Sequence, residues 1–194
     1  MAASKFNIAG HLSSRPAEQG ENEVMLDPQP SQLDAEAFVA AYGAIYEHSP
    51  WVAEAIARAG ITEADDDYQL LAIRMAKIVD ASANQAKLAL LNAHPQLVTA
   101  LRTDEALAPA SRQEQASAGL DQCTAEEFEA FGTLNERYRS RFGFPFIIAV
   151  RGLGRGEILQ ALRQRVENSP EAEFITALGQ VHRIAQLRLE TMNG

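Results

Sequence analysis

The stretch Ser169 to Met192, SPEAEFITALGQVHRIAQLRLETM, decides the fold class. Ser169-Pro170 reads as a helix start, because serine caps the first free N–H groups and proline is favoured at the first helical position. Phe174, Leu178, Val181, Ile184 and Ala185 then recur at helical spacing and define one apolar face. Arg188 lies four residues past Ile184 and three past Ala185, on that same face. A guanidinium placed there is costly to bury alone, so a carboxylate from the protein or from a ligand is expected beside it, unless its stem snorkels to water.

Working outward, the same helical period recurs through most of the chain. Phe128, Phe131, Leu134, Tyr138 and Phe142 make an aromatic stripe behind Thr124-Ala125-Glu126-Glu127, a capping-box pattern. Asn135 falls on this stripe, where a structural hydrogen bond is the favoured reading. Ser111-Arg112-Gln113-Glu114 repeats the box pattern. Upstream, a helix is expected from Asp34 to about Glu47, with Phe38, Tyr42 and Ile45 inward. A second follows Ser49-Pro50, carries Trp51 and stops at Gly60; a long third should run from about Asp67 to Asn92. Pro95 ends it, leaving His94 where helix gives way to loop. Asp65-Asp66-Asp67 reads as a solvated turn before that helix. Residues 102–110 read as a connection, and Glu157 to Glu167 as a further helix.

Strand-like alternation is absent, and no hairpin dipeptide occurs in the body of the chain. Phe146-Ile147-Ile148-Ala149-Val150 is apolar and β-branched but only five residues long, so it reads as a buried extended stretch or a helix start. The expectation is a single compact all-α bundle of about seven helices with a buried FPFII segment at 144–148. Residues 1–30 are rich in Gly, Pro, Ser, Asn and Gln without apolar periodicity and read as a flexible extension; 31–194 form the helical domain.

The chain has 194 residues and a formal net charge of −9, which argues against nucleic acid as the main partner. One cysteine, Cys123, cannot make an internal disulfide and fits a reducing compartment, so a cytoplasmic location is expected. No apolar run is long enough to span a membrane, and no secretory or peroxisomal signal is visible. No metal-ligand spacing occurs, no GxSxG elbow is present, and the glycines at 152, 154 and 156 do not make a dinucleotide fingerprint. The residues to watch are His94, a side chain that titrates near neutral pH, the Ser111, Glu114 and Gln115 group, and Arg188. Each also has a bland reading. His94 could bond the last carbonyls of its helix, Ser111 and Glu114 could be only a cap, and Arg188 could be an internal ion pair. His48 and His182 read as structural, and His11 lies in the extension.

Taken together, EHSPW at 47–51, LLNAHPQL at 90–97, SRQEQASAGL at 111–120, LNERY at 134–138, FGFPFIIAVRG at 142–152 and IAQLRL at 184–189 resemble the 2-oxo-4-hydroxy-4-carboxy-5-ureidoimidazoline (OHCU) decarboxylase family of urate degradation. The resemblance spans about residues 33 to 192. It implies an all-α, cofactor-independent enzyme, commonly a homodimer, that converts an anionic ureidoimidazoline to (S)-allantoin. It further implies that His94 is the acid/base and that Glu114 belongs to the substrate-binding SxxEQ segment; the expected role of Glu114 is catalytic, orienting His94 or a ligand N–H. Pro95, Ser111, Gln115, Phe146, Ile147, Ile148, Ala149, Val150 and Arg188 would contact the substrate. The alternatives are a non-catalytic helical interaction protein of the same fold, or a decarboxylase of a related ureido acid. The N-terminal extension departs from the family pattern.

Overall fold

The computed structural model describes residues 25–98 and 108–192. Among these, eight α-helices carry the architecture: α1 (Ala35–Tyr42), α2 (Trp51–Ala59), α3 (Tyr68–Ala81), α4 (Asn84–Asn92), α5 (Pro109–Ser117), α6 (Ala125–Phe142), α7 (Arg155–Arg165) and α8 (Pro170–Glu190). Three short 3-10 turns join them, and the described residues contain no strand beyond one isolated bridge, Met25 to Asp67. The all-α expectation holds.

Helix α8 is the central element, with α3, α4 and α6 packed on it. Its apolar face is the one read from the sequence: Ala177, Leu178, Val181, Ile184, Ala185 and Leu189 are buried. Glu173, one turn in, is fully buried and was not anticipated as a core residue. It survives there because Arg165 Nε (2.9 Å), Asn168 Nδ2 (2.7 Å) and the Tyr138 hydroxyl all donate to it. Removing a carboxylate so fully hydrogen-bonded would leave Arg165 uncompensated in the core.

Three predicted helix starts are built as read. Asp34 accepts from Ala37 N (2.8 Å) and Ser169 Oγ from Ala172 N (3.2 Å). At α6, Glu127 N donates to Thr124 Oγ1 (3.1 Å) and Thr124 N to Glu127 Oε2 (2.9 Å), so the box closes in both directions.

Elsewhere the structure departs from the expected elements. The helix expected over 67–92 divides at Ser82, whose Oγ donates back to Val79 O (2.7 Å) while its backbone turns extended. A side chain that satisfies its own helix's carbonyl competes with continuation, and α4 restarts two residues on. The helix expected to reach Glu47 ends at Tyr42, because Ile45, Tyr46 and Glu47 are all buried and three consecutive side chains cannot share one helix face. Ser111 does not cap a helix. Pro109 opens α5 two residues earlier, which turns the Ser111 side chain into the core.

Asp65-Asp66-Asp67 is not a solvated turn: Asp65 and Asp66 are buried. Asp65 accepts from Thr62 N (2.7 Å) and pairs with Arg74, Asp66 accepts from Ser31 N and Oγ (both 2.7 Å), and Asp67 caps α3. The boundary of the N-terminal extension also moves. Residues 25–30 are docked on the body, with Leu26 buried, Leu26 N donating to Asp66 O (2.8 Å) and Asp27 N to Met192 O (2.9 Å). The rest of the predicted extension and most of the predicted 102–110 connection lie outside the described residues. No helix of the described residues is long and apolar enough to cross a membrane.

Candidate active site

His94 sits just past the end of α4, where Ala93 is the C-cap. Its ring Nδ1 lies 3.0 Å from the carbonyl of Leu90. A carbonyl only accepts, so Nδ1 carries the proton and Nε2 is the nitrogen left for chemistry. The helix-end contact engages one ring nitrogen only, so it does not exclude a further role for the other. Burial pushes the imidazole below its ordinary value of 6.5, with Arg188 adding to the shift and the Leu90 carbonyl, Glu47 and Glu114 opposing it.

The chain after His94 is pinned from two sides. Val98 N donates to Gln115 Oε1 on α5 (3.1 Å), and Asn135 Nδ2 on α6 donates to Leu97 O (3.1 Å). Val98 adopts φ 67°, a conformation that costs a β-branched residue about 1–3 kcal/mol and persists only when its surroundings hold it. Asn135 thus has the structural role read from the aromatic stripe, and it holds the His-Pro loop.

Arg188 is 9% exposed and is met by the protein's own carboxylates. Its Nε lies 2.8 Å from Glu114 Oε1 and its Nη2 2.9 Å from Glu114 Oε2, a bidentate fork. Nη2 also reaches Glu47 Oε2 (3.2 Å) and Ser111 Oγ (3.1 Å), and Nη1 reaches Ile45 O (3.4 Å). Burial works against the charge, but Glu114 and Glu47 outweigh it and hold the guanidinium above its ordinary value.

Glu114 is therefore the partner of Arg188. The tautomer is set by the Leu90 carbonyl, and Glu114 is turned to the nearer, stronger charge of the guanidinium.

Residues 145–150 carry neither helix nor strand, and Phe144, Phe146, Ile147 and Val150 are buried. A buried irregular segment must satisfy its backbone elsewhere. Arg165 on α7 donates to Ile147 O (2.7 Å) and stacks over the Phe146 ring (4.6 Å), while Ala149 N donates to Gln180 Oε1 on α8 (2.9 Å).

One small cavity gathers these parts. Its walls are His94, Pro95, Ser111, Glu114, Gln115, Phe146, Ile147, Ile148, Val150 and Arg188, all anticipated, together with Glu47, Leu97 and Ile184. Ala149 is the anticipated residue that does not line it, because its N–H is drawn to Gln180. The free volume is about 30 Å³, room for about one water. Glu114 and Arg188 also line a larger outer cleft of about 340 Å³ with Arg151 and Thr191, so their ion pair is the wall between the two. Among the described residues no cluster of side chains is arranged to hold a metal ion.

Sequence reasoning missed Glu47. It follows Tyr46 in the irregular chain between α1 and α2, where no periodicity marks an inward residue. The signal available was its place at the head of the EHSPW motif. His182 is structural as expected, bridging Tyr46 Oη (2.7 Å) and Asp80 Oδ1 (3.2 Å) outside the cavity.

Comparisons with known proteins agree on one family. The OHCU decarboxylase family profile matches residues 31–190. The chain is 45% identical over 161 residues to the 2-oxo-4-hydroxy-4-carboxy-5-ureidoimidazoline decarboxylase of Haloferax volcanii, covering 83% of this chain and 92% of that protein. It is 44% identical over 163 residues to the protein of that name from Halalkalicoccus jeotgali, covering 84% and 88%. The crystal structure of an (S)-allantoin synthase superposes with a TM-score of 0.70 at 37% identity, over 88% of this chain and 54% of that one, so this chain spans about half of that solved chain. The match runs through all the helices that build the cavity, and the chain belongs to the OHCU decarboxylase family of urate degradation.

Proposed function

We propose that His94 moves the proton and Arg188 holds the carboxylate in the reaction this chain catalyses as a member of its family, the decarboxylation of OHCU to (S)-allantoin, a carboxy-lyase step. The observation that carries this reading is the convergence of a neutral imidazole and a guanidinium on one small cavity.

The substrate's carboxylate sits on a carbon that also bears a hydroxyl and adjoins a ring C=N bond. When the carbon–carbon bond breaks, its electron pair flows into that C=N bond and CO₂ leaves. The hydroxyl then becomes a carbonyl, its proton departs, and a proton is delivered to the neighbouring carbon; one proton is taken up in net. A neutral Nε2 is suited to accept the hydroxyl proton and return it to carbon, and delivery from one fixed face gives a single enantiomer. Orientation in the cavity supplies the rest.

The Nε–Nη2 edge of Arg188 can take the substrate's carboxylate in a bidentate fork only by releasing Glu114. Exchange is favoured at Glu114, whose side chain is 31% exposed against 3% for Glu47. Glu114 then acts as the resting counter-charge of the arginine. Pro95, Phe146, Ile147, Ile148 and Val150 shape the apolar remainder of the wall, with Gln115 beside them. A non-catalytic role would not require these groups to share one cavity.

The assay supplies urate, urate oxidase and hydroxyisourate hydrolase and follows optical rotation. Formation of (S)-allantoin well above the racemic background is expected, and a rate equal to that background overturns the proposal. A panel of related ureido acids tests the neighbouring-substrate alternative in the same format.

The pH profile follows from His94. The acid limb of kcat/KM, which reports the free enzyme, is expected to have its midpoint below pH 6.5; a midpoint at or above that value contradicts a buried neutral base. The stability sign agrees: a histidine with a lowered folded value contributes stability that is complete above its unfolded value and is lost as pH falls through the folded one.

The homodimer implied by the resemblance belongs to this proposal. Light scattering is expected to give twice the 21.1 kDa chain mass, and a mass of one chain overturns it.

A further inference from the structure

Glu47 has a feature that neither the ion pair nor the fold explains. It is 3% exposed, and its two oxygens are treated differently. Oε2 accepts from the Ser111 hydroxyl and from Arg188 Nη2 (3.2 Å), whereas Oε1 is buried with no hydrogen-bond partner. A buried acceptor left unpaired is costly, more so on a charged group, and native structures rarely tolerate one without a use for it. Glu47 belongs to the cavity wall that also contains His94 and Arg188.

We propose that Glu47 is a substrate-reading residue whose Oε1 accepts an N–H from the cyclic ureide ligand, fixing the ring while Arg188 holds the carboxylate. The proposal rests on the reading of this cavity as the active site. The chemistry fits, since a ring or ureido N–H is a donor only and a carboxylate oxygen an acceptor only. A site built to bond an N–H rejects an analogue lacking it far more strongly than an apolar wall rejects a methyl group. Anchoring at Oε1 and at Arg188 together defines two points of the ring, and His94 supplies the third, which is what selection of one face requires. Glu47 is also suited to this task mechanically, because Ser111 and Arg188 hold its other oxygen still.

Glutamine at this position inverts the contact. Its amide oxygen takes the place facing Ser111 and Arg188, both donors, and its NH₂ is then presented to the ligand's N–H. Affinities of wild type and Glu47→Gln are measured by calorimetry for (S)-allantoin and for its singly N-methylated derivatives. In wild type at least one methylated derivative is expected to bind ten times or more weakly than (S)-allantoin. In Glu47→Gln the parent ligand weakens by about that factor and the ratio falls to about three or less.

An unchanged ratio in a variant with wild-type helical signal overturns the proposal and leaves the His94 and Arg188 reading intact. Absence of (S)-allantoin binding in wild type overturns both. If the variant does not fold, crystals of wild type with (S)-allantoin decide the matter: Oε1 within hydrogen-bond distance of a ligand nitrogen is expected, and Oε1 facing carbon or oxygen only overturns it.

Discussion

Replacing His94 by glutamine is expected to slow (S)-allantoin formation by about 10²–10⁴, the range that a positioned acid/base contributes. Glutamine keeps a polar side chain of similar reach but cannot exchange a proton at neutral pH. The fold should be indifferent. His94 lies beyond the last turn of α4, and the hydrogen bond of its ring to Leu90 is a net contribution of about 1 kcal/mol. Circular dichroism is therefore expected to match wild type while the polarimetric rate collapses toward the spontaneous background. A folded variant turning over near the wild-type rate removes His94 from the proton path.

The largest structural effect is expected from Arg188→Ala. Two carboxylates, Glu114 and Glu47, depend on this guanidinium, and Glu47 cannot turn to water from its buried position. Leaving a buried charge uncompensated costs about 3–5 kcal/mol. For a chain of this size that corresponds to a drop in Tm of about 10 °C. Arg188→Lys is a useful companion. Lysine keeps the charge but not the planar fork that grips Glu114 at two points, so it should recover more stability than activity. Scanning calorimetry reads the first effect and the coupled urate assay the second. An Arg188→Ala protein melting within 2–3 °C of wild type, on the order of 1 kcal/mol, contradicts the ion-pair account.

The two variants separate what the cavity needs for chemistry from what it needs to exist. Ser111, Glu47, Glu114 and Arg188 come from the α1–α2 connection, α5 and α8, so their network ties three distant parts of the chain together. The same ties leave only about 30 Å³ free between them. The Glu114–Arg188 pair lines both this space and the outer cleft.

Much of this was legible in the chain itself. Helical periodicity placed α1, α6 and α8, Asp34, Thr124 and Ser169 marked their starts, and Pro95 located His94 at a helix end, because these features depend on contacts within a few residues. The position of Arg188 on an apolar face foretold a carboxylate partner, since the cost of an unpaired buried charge does not depend on the fold. Which carboxylate answered it was another matter. Glu114 is 74 residues away and Glu47 141 residues away, separations over which no local pattern operates.

Tertiary structure alone decided that Ser111 faces Glu47 and that Ala149 turns from the cavity to Gln180. In each case the contact satisfies a polar group that would otherwise be costly to bury. The sequence determined the all-α class and the family. Only packing determined which oxygen of Glu47 was left without a partner, because that depends on where the donors of α5 and α8 come to rest.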